Sequence, residues 1–343
     1  MNYGLLIIPL AYILDLVFGD PQWYWHPVRL IGRLIERLEN KLNAGRINPV
    51  RDRTPGASDG CLRQPVSNGI NKIFSGAVLV ILVVGLTVFG IEGILKLSRL
   101  IHPFLFYIVS ILFIYFSLSI RGLADEAAKI YKNLDSGDIQ KARNNLSLIV
   151  GRDTLGLNEQ EIIRATVETV AESTMDGIIA PLFYAFLGGP VMAWVYKAIN
   201  TLDSMVGYRN ERFKEFGYLS AKLDGWLNFI PSKITCFLIS VSIFCCGKRW
   251  LSSFKEVKRF LLSGPGANSN AVEAVMAGGL GVQLGGTNFY DSVAVEKPLI
   301  GQAVEPLNIK HIRQSVNIAY ISSVLMLILG MIVLIVKTRG RFS

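Results

Sequence analysis

Three acids fall four residues apart in the stretch Arg164-Ala-Thr-Val-Glu168-Thr-Val-Ala-Glu172-Ser-Thr-Met-Asp176. On a helix, Glu168, Glu172 and Asp176 form one stripe. Their mutual repulsion is only ~0.2–0.5 kcal/mol per pair, so a plain solvated face accounts for the stripe as readily as a site does. An apolar run begins directly afterwards at Ile178. Three carboxylates converging at a membrane boundary suit a Mg²⁺ ion, which takes one or two acids and fills its shell with phosphate oxygens and water.

A second stretch, Lys197-Ala-Ile-Asn200-Thr-Leu-Asp203-Ser-Met-Val-Gly-Tyr-Arg209, steps Lys197, Asn200 and Asp203 by three along one broad helical face. Ionisable groups at the end of an apolar run are costly to desolvate unless they are paired, so they mark either a site or an interfacial helix end with snorkelling cations. Lys222 and Asp224 follow. A third stretch, Gly264-Pro-Gly266-Ala-Asn268-Ser269-Asn270-Ala-Val-Glu273, reads as a glycine-rich turn feeding a helix. Asn268, Ser269 or Asn270 would cap that helix, Glu273 would lie in its first turns, and its free N–H groups would suit an anion. No Gly-Lys-Ser/Thr follows, so this is not a Walker loop. In the fourth stretch Asp15 interrupts an apolar helix ahead of Gly19-Asp20-Pro21, and His26-Pro27-Val-Arg29 follows. An acid at such a position marks a site by default.

The elements that hold these residues are set by hydropathy. The chain has 343 residues, 51% of them hydrophobic and 18% charged, with a mean hydropathy of +0.41. Soluble domains carry about 25% charge, and the deficit is what lipid-facing helices produce. The net charge of +9 comes without a long basic block or aromatic–basic interleaving, so nucleic acid is excluded as a partner and membrane-flanking loops account for the charge. Cys61, Cys236, Cys245 and Cys246 form no CxxC pair and read as small apolar residues. No Ser-His-Asp order, zinc signature or dinucleotide fingerprint stands out, which disfavours a nucleophilic hydrolase.

The expected fold is all-α, one polytopic membrane domain over 1–343. Its candidate membrane segments are 4–19, 74–95, 103–120, 178–200, 229–246 and 318–336, with polar helical segments at 121–177 and 247–317. The first is a retained helix, since it lacks a basic leader and a cleavage pattern. Segments 74–95 and 103–120 form a helical hairpin. Gly188-Gly189-Pro190 breaks 178–200, which is either two short re-entrant helices or one kinked span. Residues 20–73 are the most basic and fall on the cytoplasmic side. If 178–200 is re-entrant, then 229–246 must also fail to cross for 247–317 to share a side with 121–177.

The four motifs together resemble the CobD/CbiB family, the adenosylcobinamide-phosphate synthases. The matching stretches are LDLVFGDP with HPVRLIGRLI, RATVETVAESTMDGIIAPLFYAFLGGP, YKAINTLDSMVGYRNERF and GPGANSNAVEAVMAGGLGVQL, in the family's order. The resemblance implies a multi-pass enzyme of the cytoplasmic membrane. It would join the free propionate of adenosylcobyric acid to (R)-1-amino-2-propanol or its phosphate, with ATP as co-substrate and Mg²⁺, alongside other nucleotide-loop assembly enzymes. Acyl activation by phosphoryl transfer and attack by an amine need metal carboxylates, phosphate-binding cations and a base. On that reading Glu168, Glu172, Asp203 and Lys197 are catalytic candidates, and Glu168, Glu172 and Asp176 are metal candidates. Arg29, Arg209, Lys222 and the 264–270 turn with Gly264, Gly266, Asn268 and Asn270 would hold phosphate or propionate. Two other readings stand beside it. One is a non-catalytic sensor resembling AmpE-type proteins, with the acidic stripe as a docking face. The other is a lipid phosphate transferase.

Overall fold

A computed structural model describes residues 4–20, 26–43, 69–208, 212–290 and 292–339. The chain opens with apolar α1 (Gly4–Phe18), amphipathic α2 (Pro27–Asn43), apolar α3 (Gly69–Ile101) and α4 (Pro103–Tyr115), and amphipathic α5 (Ile120–Asp135). The chain continues through α6 (Ile139–Leu146), α7 (Glu159–Ser173), a π-helical turn (Thr174–Ile179), α8 (Ala180–Val206), α9 (Tyr218–Leu227), α10 (Phe229–Cys245), α11 (Trp250–Leu261) and α12 (Asn268–Leu280). A two-stranded antiparallel hairpin, β1 (Gln283–Tyr290) and β2 (Val293–Gly301), precedes α13 (Lys310–Arg339). The fold is that of an all-α polytopic membrane protein. Segment 247–317 is helical as far as Leu280 and again from Lys310, where α13 begins, and the hairpin stands between where a helix was expected. Its sequence signals are alternating Val293 and Val295 and a two-residue Asp291-Ser292 connection, which the surrounding glycines and charges mask.

The outer faces of α1, α3 and α13 carry exposed Leu6, Leu10, Ile81, Phe89, Ile328 and Val333. Such a surface is stable against lipid and not against water. By length and composition α3, the stretch from Pro103 and α13 can each cross a membrane, and α1 is a shorter apolar helix. Helices α3 and α4 form the expected hairpin. Trp194 on α8 locks onto it, donating its indole N–H to the Phe113 carbonyl at 2.7 Å.

Residues 159–206 are long and apolar enough for a span, but they double back. Gly188 (φ −148°) and Gly189 (φ +69°, ψ −155°) leave the helical region, and only glycine enters that second region without strain. Tyr184 and Tyr196 stack at 5.2 Å, whereas twelve residues of straight helix would separate them by ~18 Å. Each arm from the acids to the turn is therefore short of the ~30 Å hydrocarbon core. Of the two alternatives for 178–200, the structure takes the re-entrant pair. At the deep end, Phe186 covers Gly330 of α13 so closely that a Cβ there would overlap the ring. Helices α9 and α10 are likewise bent, by 47°.

Asp15 is a structural residue. Its Oδ2 accepts the N–H groups of Ile120 (2.8 Å) and Arg121 (3.3 Å), capping α5 from a helix more than a hundred residues away. Tyr115 donates its hydroxyl to the Gly19 carbonyl beside it at 2.7 Å. These contacts fix the C-terminal end of α1 against α4 and the start of α5.

Candidate functional site

One cavity of about 960 Å³ opens among the polar ends of these elements. Glu172, Asp176, Lys197, Asp203 and Arg29 line it, together with Glu168. Residues from α2, α7, the π turn and the ascending arm of α8 thus meet on one side, as do Glu273 of α12 and Lys297 of β2.

The stripe on α7 is not chemically uniform. Glu168 is 3% exposed and both its oxygens are occupied. Oε2 meets the Arg152 guanidinium at 2.6 Å, and Oε1 accepts the Gly285 N–H at 2.9 Å, where the hairpin register shifts. Arg152 also donates to Asn288 Oδ1, and Arg164 donates to the carbonyls of Gly285 and Thr287. Among the described residues Glu168 is not grouped with two further side chains able to hold a metal ion, as its spacing had suggested. Its carboxylate fastens α7 to the hairpin, and a buried, paired and fully hydrogen-bonded charge is a positioning element.

Glu172, one turn on, accepts among the described residues only the Ser269 hydroxyl, at 2.9 Å. Asp176 sits in the π turn, an insertion that recurs at functional sites. The Tyr196 hydroxyl lies 3.2 Å from Asp176 Oδ1 and 3.0 Å from Asn228 Oδ1. Asn228 and Asn200 in turn donate to the two oxygens of Asp224 at 3.0 and 3.2 Å. This network braces both arms of the re-entrant pair from below the cavity. Lys197 and Asp203 project from the ascending arm. Among the described residues no carboxylate lies within ion-pair distance of Lys197.

Five sequence candidates among the described residues do not line the cavity as expected. The N-terminus of α12 has Ala267 as its cap and no side-chain cap bond. Asn268 instead accepts from the Ser232 hydroxyl and donates to the Gly225 carbonyl. Gly264, Gly266, Asn268 and Asn270 are absent from the cavity wall, so the anion cradle read from the turn does not form there. What the motif supplies is Ser269 for Glu172, and Glu273. Lys222 is solvent-exposed with its ammonium over the Tyr218 ring and away from the cavity. Arg209, like Cys61, lies outside the described residues.

Sequence reasoning missed Arg152, Glu273 and Lys297 as site residues. Arg152 and Lys297 belong to no helical stripe, and only the docking of the hairpin brings them in. Glu273 is 1% exposed. Burial pushes its carboxyl up to about 8; Lys297 opposes that shift, while Glu172 and Glu168 add to it. For Lys297, burial disfavours the ammonium, but Glu273, Glu172 and Glu168 outweigh it and raise its pKa. His26 pairs with Asp20 at 3.0 Å at the cavity edge.

The acids do not form an all-protein cage: among the described residues no three His, Cys, Asp or Glu side chains are placed to hold one metal ion. The Glu168–Glu172–Asp176 triad proposed from spacing is corrected accordingly, since Glu168 is committed to Arg152. Glu172 and Asp176 remain, and one or two carboxylates suit a Mg²⁺ that arrives on a phosphate.

The architecture and the cavity define a multi-pass helical membrane protein with a charged cavity closed by a re-entrant pair and a hairpin. The CobD/Cbib protein family matches residues 8–319. The chain is 41% identical to the cobalamin biosynthesis protein CobD of Clostridium perfringens, over 95% of this chain and 96% of that one. It is 39% identical to that of Geobacter metallireducens, over 97% of each. Identity to the cobalamin biosynthesis protein CbiB of Salmonella typhimurium is 40%, over 93% of this chain and 94% of that one. No solved structure matches. The chain belongs to the CobD/CbiB family, a family of cobalamin biosynthesis proteins.

Proposed function

We propose that this protein is the amide-forming ligase of cobalamin assembly. It joins the free propionate of adenosylcobyric acid to (R)-1-amino-2-propanol or its phosphate at the expense of ATP, in the cytoplasmic membrane. The observation that carries the reading is the meeting of Arg29, Lys197, Glu172, Asp176 and Asp203 in one cavity of about 960 Å³. That volume is at the upper end for small-molecule sites and suits the nucleotide, the amine and the propionate arm together. Basic α2, which carries Arg29, Arg33, Arg37 and Lys41, contributes Arg29 to the cavity, which supports a mouth facing the cytoplasm and its ATP.

A carboxylate and an amine do not condense unaided. Phosphorylation of the propionate creates a leaving group that the amine then displaces. Mg²⁺ on the phosphates would neutralise charge as it develops. Glu172 and Asp176 would hold that ion, while Lys197 and Arg29 bind phosphate oxygens or the propionate. Asp203, on the same arm as Lys197, faces the polyphosphate or the amine. Glu168 and Arg152 keep the wall in place without taking part. Carrying these charges on a re-entrant pair excludes water from an acyl phosphate that would otherwise hydrolyse.

Complementation tests the reading. A strain lacking this step and carrying the gene should grow when given cobyric acid, and should grow on cobinamide without it. Failure on cobyric acid by a well-expressed chain would reject the assignment. Activity of the purified protein on lipid extracts, with none on cobyric acid, would favour lipid phosphate transfer instead.

A further inference from the structure

We propose that Glu273 is the general base that takes the proton from the attacking amine, so that the amine end of the small substrate lies against α12 and the hairpin, across the cavity from Lys197. The inference rests on the ligase reading and deepens it. Glu273 lines the cavity and is 1% exposed. Its Oε2 is buried with no hydrogen-bond partner, and its Oε1 stands 4.0 Å from the Lys297 ammonium, beyond hydrogen-bond reach. Glu168 is held by Arg152 and Gly285, Asp224 by Asn200 and Asn228, and Glu172 on one oxygen by Ser269. Glu126 in the cavity wall also keeps one buried oxygen without a partner, but its other oxygen is bridged to Lys129 at 2.7 Å. A buried carboxylate oxygen left unsatisfied costs free energy that a native fold retains for a donor still to arrive. An ammonium is such a donor.

The surroundings fit the task. The charged groups facing Glu273 are Lys297 from β2, Glu172 and Glu168 from α7, and Arg152 from the loop before α7. Ser269 and Glu273 are four residues apart on one face of α12, so the helix that holds Glu172 also presents the base. Burial gives the carboxylate an appetite for a proton, with its pKa raised to about 8, while Lys297 keeps the anion accessible. In the step, Glu273 accepts H⁺ from R–NH₃⁺, and the freed lone pair attacks the acyl-phosphate carbonyl. A C–N bond forms, the C–O bond to phosphate breaks, and the second amine proton leaves with the products.

Hydroxylamine separates the base from the rest of the machinery, because it is already neutral at neutral pH and attacks an acyl phosphate without help. The full-length protein in detergent would be given adenosylcobyric acid and Mg-ATP with either aminopropanol (free or phosphorylated) or hydroxylamine. Glu273→Gln should lose amide formation about 10²- to 10⁴-fold while keeping near wild-type hydroxamate formation, and its residual amide rate should climb with pH as the amine ionises by itself. Glu273→Asp should recover part of the loss. Lys297→Met, which leaves Glu273 in place, should move the rising limb of the amide pH profile to higher pH and leave the hydroxamate rate alone. Equal loss of both products in Glu273→Gln, or an unshifted profile in Lys297→Met, overturns the assignment of the base. A wild-type protein that makes neither product overturns the ligase reading itself.

Discussion

The two sides of the cavity handle charge in opposite ways. On the side of α7 and the hairpin, Arg152 and Glu168 are 7% and 3% exposed, held at 2.6 Å, and surrounded by further hydrogen bonds to Asn288 and Gly285. On the side of α8, Lys197 and Asp203 face the cavity with no ion pair between them. Charges that are locked in pairs define where the walls stand. Charges left without protein partners are the ones able to meet a substrate. Acidic and basic residues within one stretch, 152–203, are therefore divided into frame and machinery by their partners alone.

That contrast can be broken from the machinery side first. Glu172→Ala and Asp203→Ala should each lower ligase activity by about 10²- to 10⁴-fold with unchanged detergent-solubilised melting, measured by amide product formation. Full activity in both folded variants would remove these acids from the mechanism. From the frame side, Arg152→Ala leaves Glu168 buried and unpaired. It should cost about 3–5 kcal/mol of stability, read as a large drop in melting temperature and in expressed protein.

Smaller effects sharpen the comparison. Gly189→Ala forces a side chain into a region reserved for glycine and should cost about 1–3 kcal/mol, loosening the turn that returns Lys197 to Asp176; thermal unfolding and activity should fall together. Glu273 contributes a pH dependence of known sign. Its carboxyl is raised from 4.5 to about 8 in the fold, so the native state binds the extra proton between these values. Its contribution to stability declines as pH rises through that window and levels off above about pH 8. Glu273→Gln should flatten that decline in melting curves recorded across the range. Lys222→Ala, at an exposed cation–π contact outside the cavity, should leave activity within about twofold, as surface substitutions do; a strong loss would bring Lys222 back as a phosphate ligand.

Much of this was legible in the chain. Hydropathy located α1, α3, α4 and α13, because lipid demands long apolar runs and internally bonded backbone. Helical spacing brought out Glu172, Asp176, Lys197 and Asp203, since a stripe is a local property of 3.6 residues per turn. The pairing of Glu168 was not legible for a physical reason: its neighbours on the stripe are at fixed offsets, but Arg152 and the Gly285 N–H reach it from other elements. Asn268 failed likewise, drawn from capping by Ser232 and Gly225.

Local sequence thus decided that the chain enters a membrane, where its helices run and which side chains can ionise, because these follow from side-chain transfer free energies and helical period. The tertiary structure decided that the broken run at Gly188-Gly189 turns back, that a hairpin carries Lys297 to Glu273, and which acids are already neutralised. Those outcomes depend on pairings between residues far apart in the chain. The energy of a buried charge is set by what finally lies within a few ångströms of it.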